Sequence, residues 1–408
     1  MLDEMVSEEP PKKNSIMGAA GCPCCGTGAL RDILKIDNVP TNSCILLGCK
    51  KDAEEYPTGD IRLAFCTQCG FVFNRAFDIR RTEYSGRYEE TQGYSGTFNK
   101  FHRHLAERLI DKYDLKGGKV LEIGCGKGEF LALLAEIGGV RGVGVDPGVH
   151  PERITPVIAD KLTFVPEMFA PEHVSDAFDL IGCKMTLEHI PDPFDFVSTI
   201  RKGIGDQRDC VVFFQVPEAM RILKSHAFED VYYEHCAYFT AGSLARLFRR
   251  AGFDILDIEY EYDDQYLTIE AAPADGATTA SLVLEDDLGA TTEVVNGFET
   301  GCADTIALWR ARLAEAHAKD ETVVLWGSGS KAVAFLNAVD PKGQVRYVTD
   351  INPHRHGHFM PKSGQRIVPP GELANIKPDL VIAMNRIYVD EIKDNLEAIG
   401  VTPALTAL

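Results

Sequence analysis

The chain has 408 residues, of which 45% are hydrophobic and 25% charged, and its formal net charge is −19 at pH 7. This length predicts two or three domains, and the excess of acidic residues disfavours nucleic acid and anionic membranes as partners. No apolar run approaches the roughly 20 residues that a membrane-spanning helix needs, and the opening MLDEMVSEEPPKKN lacks the pattern of a secretion signal. We therefore expect a cytoplasmic protein, in which clustered cysteines are more often metal ligands than disulfides.

Composition and periodicity divide the chain into five stretches. They are a disordered N-terminus (1–20), a cysteine-rich domain (21–85), a large α/β domain (86–272), a helical connector (273–320) and a second, smaller α/β domain (321–408).

The large α/β domain is predicted from strands that alternate with helices. An amphipathic helix over Asn99–Tyr113 precedes the strand KVLEI, and four further strand-like runs follow before a hairpin of FDILDIEYEY and QYLTIEAA. Such alternation is typical of a mostly parallel sheet covered on both faces. Another helix is predicted from Glu299 to His317, after which TVVLWGSGS begins the second α/β unit.

Two C-x-x-C pairs, Cys22 with Cys25 and Cys66 with Cys69, are each followed directly by a glycine. Four thiolates from two such turns suit the tetrahedral geometry of structural zinc and leave no open position for a catalytic water. Cys24 could take the place of Cys25, and a redox dithiol is the alternative interpretation. We expect the metal to stabilise a domain too small for its own core.

A glycine-rich loop follows the first strand of the large domain. Glu122, Gly124, Gly126 and Gly128 form the pattern E-x-G-x-G-x-G, and Asp146 closes the second strand, where a carboxylate can bind a ribose. The pattern resembles the first motif of class I S-adenosylmethionine-dependent methyltransferases. A nicotinamide enzyme and a plain strand–helix turn are the competing interpretations.

This resemblance implies further contacts with S-adenosylmethionine. Glu167 matches the acidic position of the adenine loop, and the other residues expected at the cofactor are Cys125, Pro147, Met168 and Lys184.

Two histidine motifs follow the fourth and fifth strands, at the sheet edge where α/β domains bind ligands. The first is LEHIPDP, whose His189 either faces the substrate or acts as a cap. The second is YYEHCAY, in which Tyr232 and Glu234 lie beside His235. A histidine among phenols and a carboxylate is suited to abstracting a proton and stabilising an enolate.

From residue 21 onward the chain resembles the deoxysugar C-methyltransferases, through the cysteine pairs, EIGCGKG, LEHIPDP, YYEH and the trailing α/β domain. The resemblance implies an α/β fold with a small zinc-binding domain, a central Rossmann-like methyltransferase sheet and a second Rossmann-like domain. It also implies that His235 is the base, assisted by Tyr232, Glu234 and His189. A tyrosine before the methyltransferase core, Tyr88 or Tyr94, is expected to reach the same site.

The implied reaction is 3-C-methylation of a dTDP-4-keto-deoxysugar type of substrate. Gly327, Gly329 and Lys331 in WGSGSKA are expected to bind its nucleotide end, because a helix N-terminus attracts anions. The stretch YEETQGYSGTFNKFHRHLAE and the cysteine in YYEHCAYFT indicate a related branch, so another small-molecule acceptor, methylated on oxygen or carbon, is the main alternative. A non-catalytic, zinc-anchored scaffold is the third interpretation.

Overall fold

A computed structural model describes residues 21–154, 156–274, 276, 280–340 and 342–408. The disorder predicted for residues 1–20 lies outside the described residues. Within these ranges, no helix is both long and apolar enough to cross a membrane.

The strands belong to three sheets. In chain order they are β1 (Leu30–Pro40), β2 (Thr58–Cys66), β3 (Val72–Asn74), β4 (Lys119–Ile123), β5 (Arg141–Val145), β6 (Leu162–Val165), β7 (Leu180–Lys184), β8 (Val211–Pro217), β9 (Ala237–Tyr238), β10 (Phe253–Glu261), β11 (Tyr266–Pro273), β12 (Val323–Trp326), β13 (Tyr347–Thr349), β14 (Ile367–Val368), β15 (Leu380–Ala383) and β16 (Ala404–Ala407).

The α-helices connect these strands or cover the sheets. They are α1 (Lys50–Glu54), α2 (Gly96–Lys112), α3 (Glu129–Gly138), α4 (Pro156–Ala159), α5 (Pro193–Ile204), α6 (Ala219–Ser225), α7 (Ala241–Arg250), α8 (Leu288–Val294), α9 (Phe298–Ala318), α10 (Ser330–Val339), α11 (Leu373–Ile376) and α12 (Val389–Ala398).

The central sheet has seven strands in the order β10-β11-β8-β7-β4-β5-β6. From β8 to β6 the neighbours are parallel, and the buried, mostly apolar residues of β8, β7 and β4 are typical of a sheet covered on both faces. The predicted hairpin is confirmed: β11 pairs antiparallel with both β10 and β8. This inserted antiparallel strand distinguishes the sheet from the dinucleotide-binding order 3-2-1-4-5-6.

The C-terminal sheet has five strands in the order β14-β13-β12-β15-β16, all of them parallel. Helix α10 follows β12 after a short glycine loop, as in the central sheet α3 follows β4. The prediction of an α/β fold with two Rossmann-like sheets is therefore confirmed. The helix predicted from Glu299 to His317 is α9, which is one residue longer at each end.

The N-terminal sheet is antiparallel, in the order β1-β2-β3-β9. Its last strand comes from a distant part of the chain, directly after the YYEH motif, with Tyr238 opposite Val72. Close packing supports this junction, since a Cβ atom on Gly59 would lie 2.3 Å from the ring of Tyr233. The sheet therefore holds the YYEH segment against the cysteine-rich region.

Candidate active site

The four predicted metal ligands lie together at one end of the N-terminal sheet. The Sγ atoms of Cys22, Cys25, Cys66 and Cys69 all lie within 4.8 Å of one another. The Cys22–Cys69 and Cys25–Cys66 separations are both 3.6 Å, close to the ~3.8 Å edge of a tetrahedron with zinc–sulfur distances of about 2.3 Å. The sulfur of Cys24 is not part of this cluster. The donor set therefore fits zinc.

The predicted cofactor loop joins β4 to α3 and lines a cavity of about 220 Å³. Gly124, Gly126 and Gly128 all have positive φ angles, of 68°, 52° and 79°. At Gly124 a Cβ atom would lie 2.0 Å from Oγ1 of Thr186, so any larger residue would collide with the side chain of Thr186. The loop thus leaves its backbone open to a ligand in the cavity.

Two carboxylates line this cavity and bond to backbone N–H groups around it. Buried Glu122 accepts a hydrogen bond from the backbone N–H of Leu131 at 3.1 Å, and burial raises its pKa to about 7. Asp146, directly after β5, accepts from the N–H groups of Gly126 at 3.1 Å and Gly148 at 2.7 Å. Asp146 therefore ties the glycine loop to the end of the second strand, where a ribose is expected.

A buried lysine lies beside these acids. Nζ of Lys184 donates to Nε2 of His102 at 2.6 Å and lies 4.2 Å from the ring centre of Phe130. Burial lowers the pKa of Lys184 to about 8 and holds the pKa of His102 well below its usual value. His102 is thus a neutral acceptor that fixes the lysine, and the sequence alone did not identify it.

A second cavity, of about 270 Å³, lies between the central and C-terminal sheets. It shares Glu90, Thr91, Gln92 and Met185 with the first cavity, so the two spaces adjoin. A ligand in the first cavity can therefore contact a ligand in the second.

The predicted histidines lie where these cavities meet, His189 in the first and His235 in the second. Their rings are 4.8 Å apart, and Nε2 of His235 lies 2.8 Å from the hydroxyl of Tyr232. Nδ1 of His189 lies 2.9 Å from the hydroxyl of Tyr84. Burial lowers the pKa of His189 to about 4 and that of His235 well below its usual value. Both imidazoles are therefore neutral at pH 7, the form that can accept a proton.

The opposite wall of the second cavity carries the predicted anion site. Gly327, Gly329 and Lys331 all line it, with Lys331 in the first turn of α10. Nζ of Lys331 and a guanidinium nitrogen of Arg221 each bond Oδ2 of Asp230 at 2.7 Å. Two cations therefore share one carboxylate beside the glycine loop.

The C-terminal sheet repeats the arrangement of the central sheet with residues that the sequence analysis missed. Asp350 directly follows β13, and its Oδ2 accepts from the N–H of Ser328 at 2.7 Å, as Asp146 does from its own glycine loop. Buried Arg355 donates to the carbonyl of Ser328 at 2.8 Å. The sequence carries a signal for Asp350, because RYVTD places an aspartate directly after β13, as RGVGVD does after β5.

Comparisons with known proteins agree with this geometry. A family model described as a methyltransferase domain matches residues 97–258, and a model described as a C-methyltransferase C-terminal domain matches residues 268–402. The chain is 26% identical over 390 residues to the C-methyltransferase NovU of Streptomyces niveus. The aligned residues are 92% of this chain and 91% of that protein. The chain is an S-adenosylmethionine-dependent methyltransferase. The predicted enzyme class is thereby confirmed, and the two family models and the similarity to a C-methyltransferase agree with the resemblance seen in the sequence.

Other relatives match the methyltransferase over shorter stretches. A ubiquinone biosynthesis O-methyltransferase of Vibrio vulnificus is 32% identical over 112 residues, which are 25% of this chain and 47% of that protein. One from Neisseria meningitidis is 28% identical over 185 residues, or 40% of this chain and 76% of that protein. Among solved structures, the dimethyltransferase RosA of Streptomyces davawensis has a TM-score of 0.36 at 19% identity, over 43% of this chain and 56% of that chain.

Most of the residues expected at the cofactor of the methyltransferase line the first cavity, including Cys125, Pro147 and Met168. Glu167 does not line it: its side chain is 68% exposed, and its Oε2 atom lies 3.8 Å from Nε2 of His173. The structure therefore places Met168, rather than the acid before it, at the cavity.

Glu234 also lies apart from the cavities. Its carboxylate is buried and accepts hydrogen bonds from the side-chain amide of Asn42 at 2.9 Å and from the backbone N–H of Ser43 at 2.8 Å. It thereby connects the YYEH segment to the loop after β1, a positioning role that the sequence alone did not predict.

The two candidate tyrosines line different cavities. Tyr88 lies in the first and Tyr94 in the second, where 44% of its surface is exposed. Tyr84, which the sequence analysis did not select, also lines the first cavity and is the one whose hydroxyl meets His189. It belongs to the same tyrosine-rich stretch, TEYSGRYEE, which was the available signal.

Proposed function

We propose that this methyltransferase methylates a carbon atom next to the keto group of a nucleotide-linked sugar, a 3-C-methylation of the dTDP-4-keto-deoxysugar type. The observation that carries the proposal is the second cavity, which has His235 and Tyr232 on one wall and Lys331 beside a glycine loop on the other. Such a cavity suits a small acceptor with an acidic C–H bond at one end and an anion at the other. The similarity to a C-methyltransferase supports carbon as the acceptor atom.

Neutral His235 accepts the proton of the carbon next to the keto group, and the electron pair of that C–H bond delocalises into an enolate. In the tautomer in which Nε2 of His235 donates to the hydroxyl oxygen of Tyr232, at 2.8 Å, Nδ1 accepts the substrate proton and the tyrosine O–H can donate to the developing charge. Tyr84 orients His189 beside the base. When bound, S-adenosylmethionine would supply an electrophilic methyl group to the enolate carbon; the methyl–sulfur bond would break with its electron pair remaining on sulfur, leaving S-adenosylhomocysteine.

The cofactor site would be formed by the backbone of Gly124–Gly128, with Glu122, Asp146 and Lys184 around it. The positive φ angles of the loop and its open backbone support this assignment. The loop and the sheet edge therefore position the methyl donor, while the second cavity positions its acceptor.

We also propose that Cys22, Cys25, Cys66 and Cys69 hold one structural zinc ion. All four ligands are thiolates, so no coordination position remains for a substrate or a water. Its role is to fix the ends of β1 and β2, where Leu30 pairs with Cys66.

The test is methyl transfer from S-adenosylmethionine with a labelled methyl group to keto-sugar nucleotides that are deuterated next to the carbonyl. We expect one added methyl group on carbon with loss of the deuterium at that carbon, and no product from the matched sugar nucleotide without a keto group. Loss of a general base costs about 10²–10⁴-fold, so His235→Ala should lower turnover by that factor. The exposed His317→Ala should retain full turnover. Methyl transfer to oxygen with the deuterium retained would contradict the proposal and favour the alternative acceptor class.

A further inference from the structure

Glu188 is a buried carboxylate beside the proposed base. It lies in the short 3-10 turn Leu187–His189, and its side chain is 1% exposed. Among the described residues, neither of its carboxylate oxygens has a hydrogen-bond partner. Oε1 lies 3.9 Å from Nε2 of His235. A fully buried carboxyl group without a partner is costly, which makes this one a candidate for a role in the reaction.

The backbone brings the segments that carry the two groups together. The N–H of Cys236 donates to the carbonyl of Glu188 at 2.9 Å, so the LEH turn and the YYEH segment are bonded directly beside the two side chains. The fold therefore places these two residues beside each other.

The other titratable groups around Glu188 carry no positive charge at neutral pH. Burial lowers the pKa of both neighbouring histidines, and the remaining groups are thiols and phenols with raised pKa values. The groups that face Glu188 are His189, His235, Cys183, Cys236, Tyr84, Tyr232 and Tyr266. A positive charge forms next to Glu188 only when one of the histidines accepts a proton.

We propose that Glu188 is the charge partner of His235, a positioning residue whose carboxylate pairs with the imidazolium formed when His235 takes the substrate proton. This rests on the proposed function of His235 as the base. The C–H bond of the acceptor breaks, its proton goes to His235, and its electron pair remains on the acceptor. The carboxylate keeps its charge throughout, so that the buried cation is compensated as it forms. After methyl transfer His235 releases the proton to solvent, which restores the neutral imidazole beside the carboxylate.

The pairing has a definite dependence on pH. Burial raises the pKa of Glu188 to about 8, so the group is a neutral acid below that pH and cannot compensate the imidazolium. As the pH rises through 8, the carboxylate forms and turnover increases. His235 is already neutral over this range, but Lys184 in the first cavity also has a pKa of about 8. The part of the rise in turnover that Glu188→Gln removes therefore reports on Glu188.

The test is a pH titration of the full-length protein with bound S-adenosylhomocysteine, with ¹⁵N in the histidine rings. We expect the ring signals of His235 to show an inflection near pH 8 in the wild-type protein. Glu188→Gln should abolish this inflection, and Glu188→Asp should restore part of it. The matched control is Glu218→Gln, because Glu218 is a buried carboxyl with a pKa of about 7 that caps α6 and lies outside both cavities. This control should leave the inflection in place.

Turnover provides the second measurement. At pH 8.5 Glu188→Gln should lower kcat at least tenfold and flatten the rise with pH, while the affinity for S-adenosylhomocysteine changes less than twofold. An identical His235 titration in the wild type and Glu188→Gln would overturn the proposal, as would a divalent metal ion bound by Glu188, His189 and His235. The titration needs no methyl acceptor. If Glu188→Gln abolishes the His235 inflection but the enzyme methylates no keto sugar, only the proposed acceptor is refuted.

Discussion

Asp146 connects the two parts of the proposed cofactor site, and its substitution tests that connection directly. One carboxylate oxygen binds the N–H of Gly126 and the other binds the N–H of Gly148. Asp146→Ala removes both bonds together with the expected contact to the cofactor ribose. Asp146→Asn is the matched control, because it keeps one carbonyl oxygen as an acceptor and loses only the charge and the second acceptor.

The size of the effect follows from the bonds involved. Hydrogen bonds to a charged group contribute about 1.5–3 kcal/mol, and every 1.4 kcal/mol is a factor of ten in affinity. Asp146→Ala should therefore weaken the binding of S-adenosylhomocysteine about 10- to 150-fold, and Asp146→Asn by a smaller factor. The cost to folding is smaller, because Gly126 is only half-buried and water in the cavity can bond its free N–H.

Calorimetric titration with S-adenosylhomocysteine measures this loss without an acceptor. Thermal unfolding gives an independent readout, because ligand at 100 times the wild-type Kd stabilises the wild type by about 2.7 kcal/mol. The same concentration stabilises a variant with 30-fold weaker binding by only about 0.9 kcal/mol. Equal affinity in Asp146→Ala and the wild type would refute the ribose role. Unfolding of Asp146→Ala without ligand at a much lower temperature would show that the loop bonds mainly support folding.

Three further substitutions test other parts of the methyltransferase. Tyr84→Phe removes the hydroxyl at Nδ1 of His189 and should lower kcat about three- to tenfold at unchanged cofactor affinity, from a net hydrogen-bond contribution of about 1 kcal/mol; an unchanged kcat would remove the orienting role. Lys331→Met should raise KM for the acceptor about tenfold and leave kcat within about twofold, because the charge contributes to binding alone; a loss confined to kcat would contradict the anion site. Cys66→Ser should remove the zinc found by metal analysis and lower the unfolding temperature; full stability without metal would refute the structural role.

The α/β units could be predicted from the sequence because their signals are local. Strand runs, glycine loops and helix periodicity each occupy a few consecutive residues, and the antiparallel hairpin lies within one short stretch. The cysteine pairs were equally clear, since each pair and its glycine forms a compact turn. The strand β9 could not be predicted, because two residues, Ala237 and Tyr238, give no periodic pattern and pair with a distant segment.

The YYEH motif shows why neighbours in sequence need not share a site. Tyr233 and Glu234 form a turn, and a turn brings its first and fourth residues together. Tyr232 and His235 therefore meet in the second cavity, whereas Glu234 points to Asn42 in the cysteine-rich region. The carboxylate that lies 3.9 Å from His235 is that of Glu188, which belongs to the LEHIPDP motif, so the YYEH sequence alone could not identify it.

These contacts explain how a small cysteine-rich domain can affect chemistry in the central sheet. The proposed zinc fixes the start of β1 and the end of β2, and the same sheet continues through β3 to β9. The N–H of Asn74, at the end of β3, bonds the carbonyl of Cys236 at 2.9 Å, and Glu234 adds a second connection to the loop after β1. His235 lies between these two attachment points. Because general base catalysis depends on the position of the imidazole, loss of the metal should impair turnover before it impairs cofactor binding, which depends on the distant β4–α3 loop.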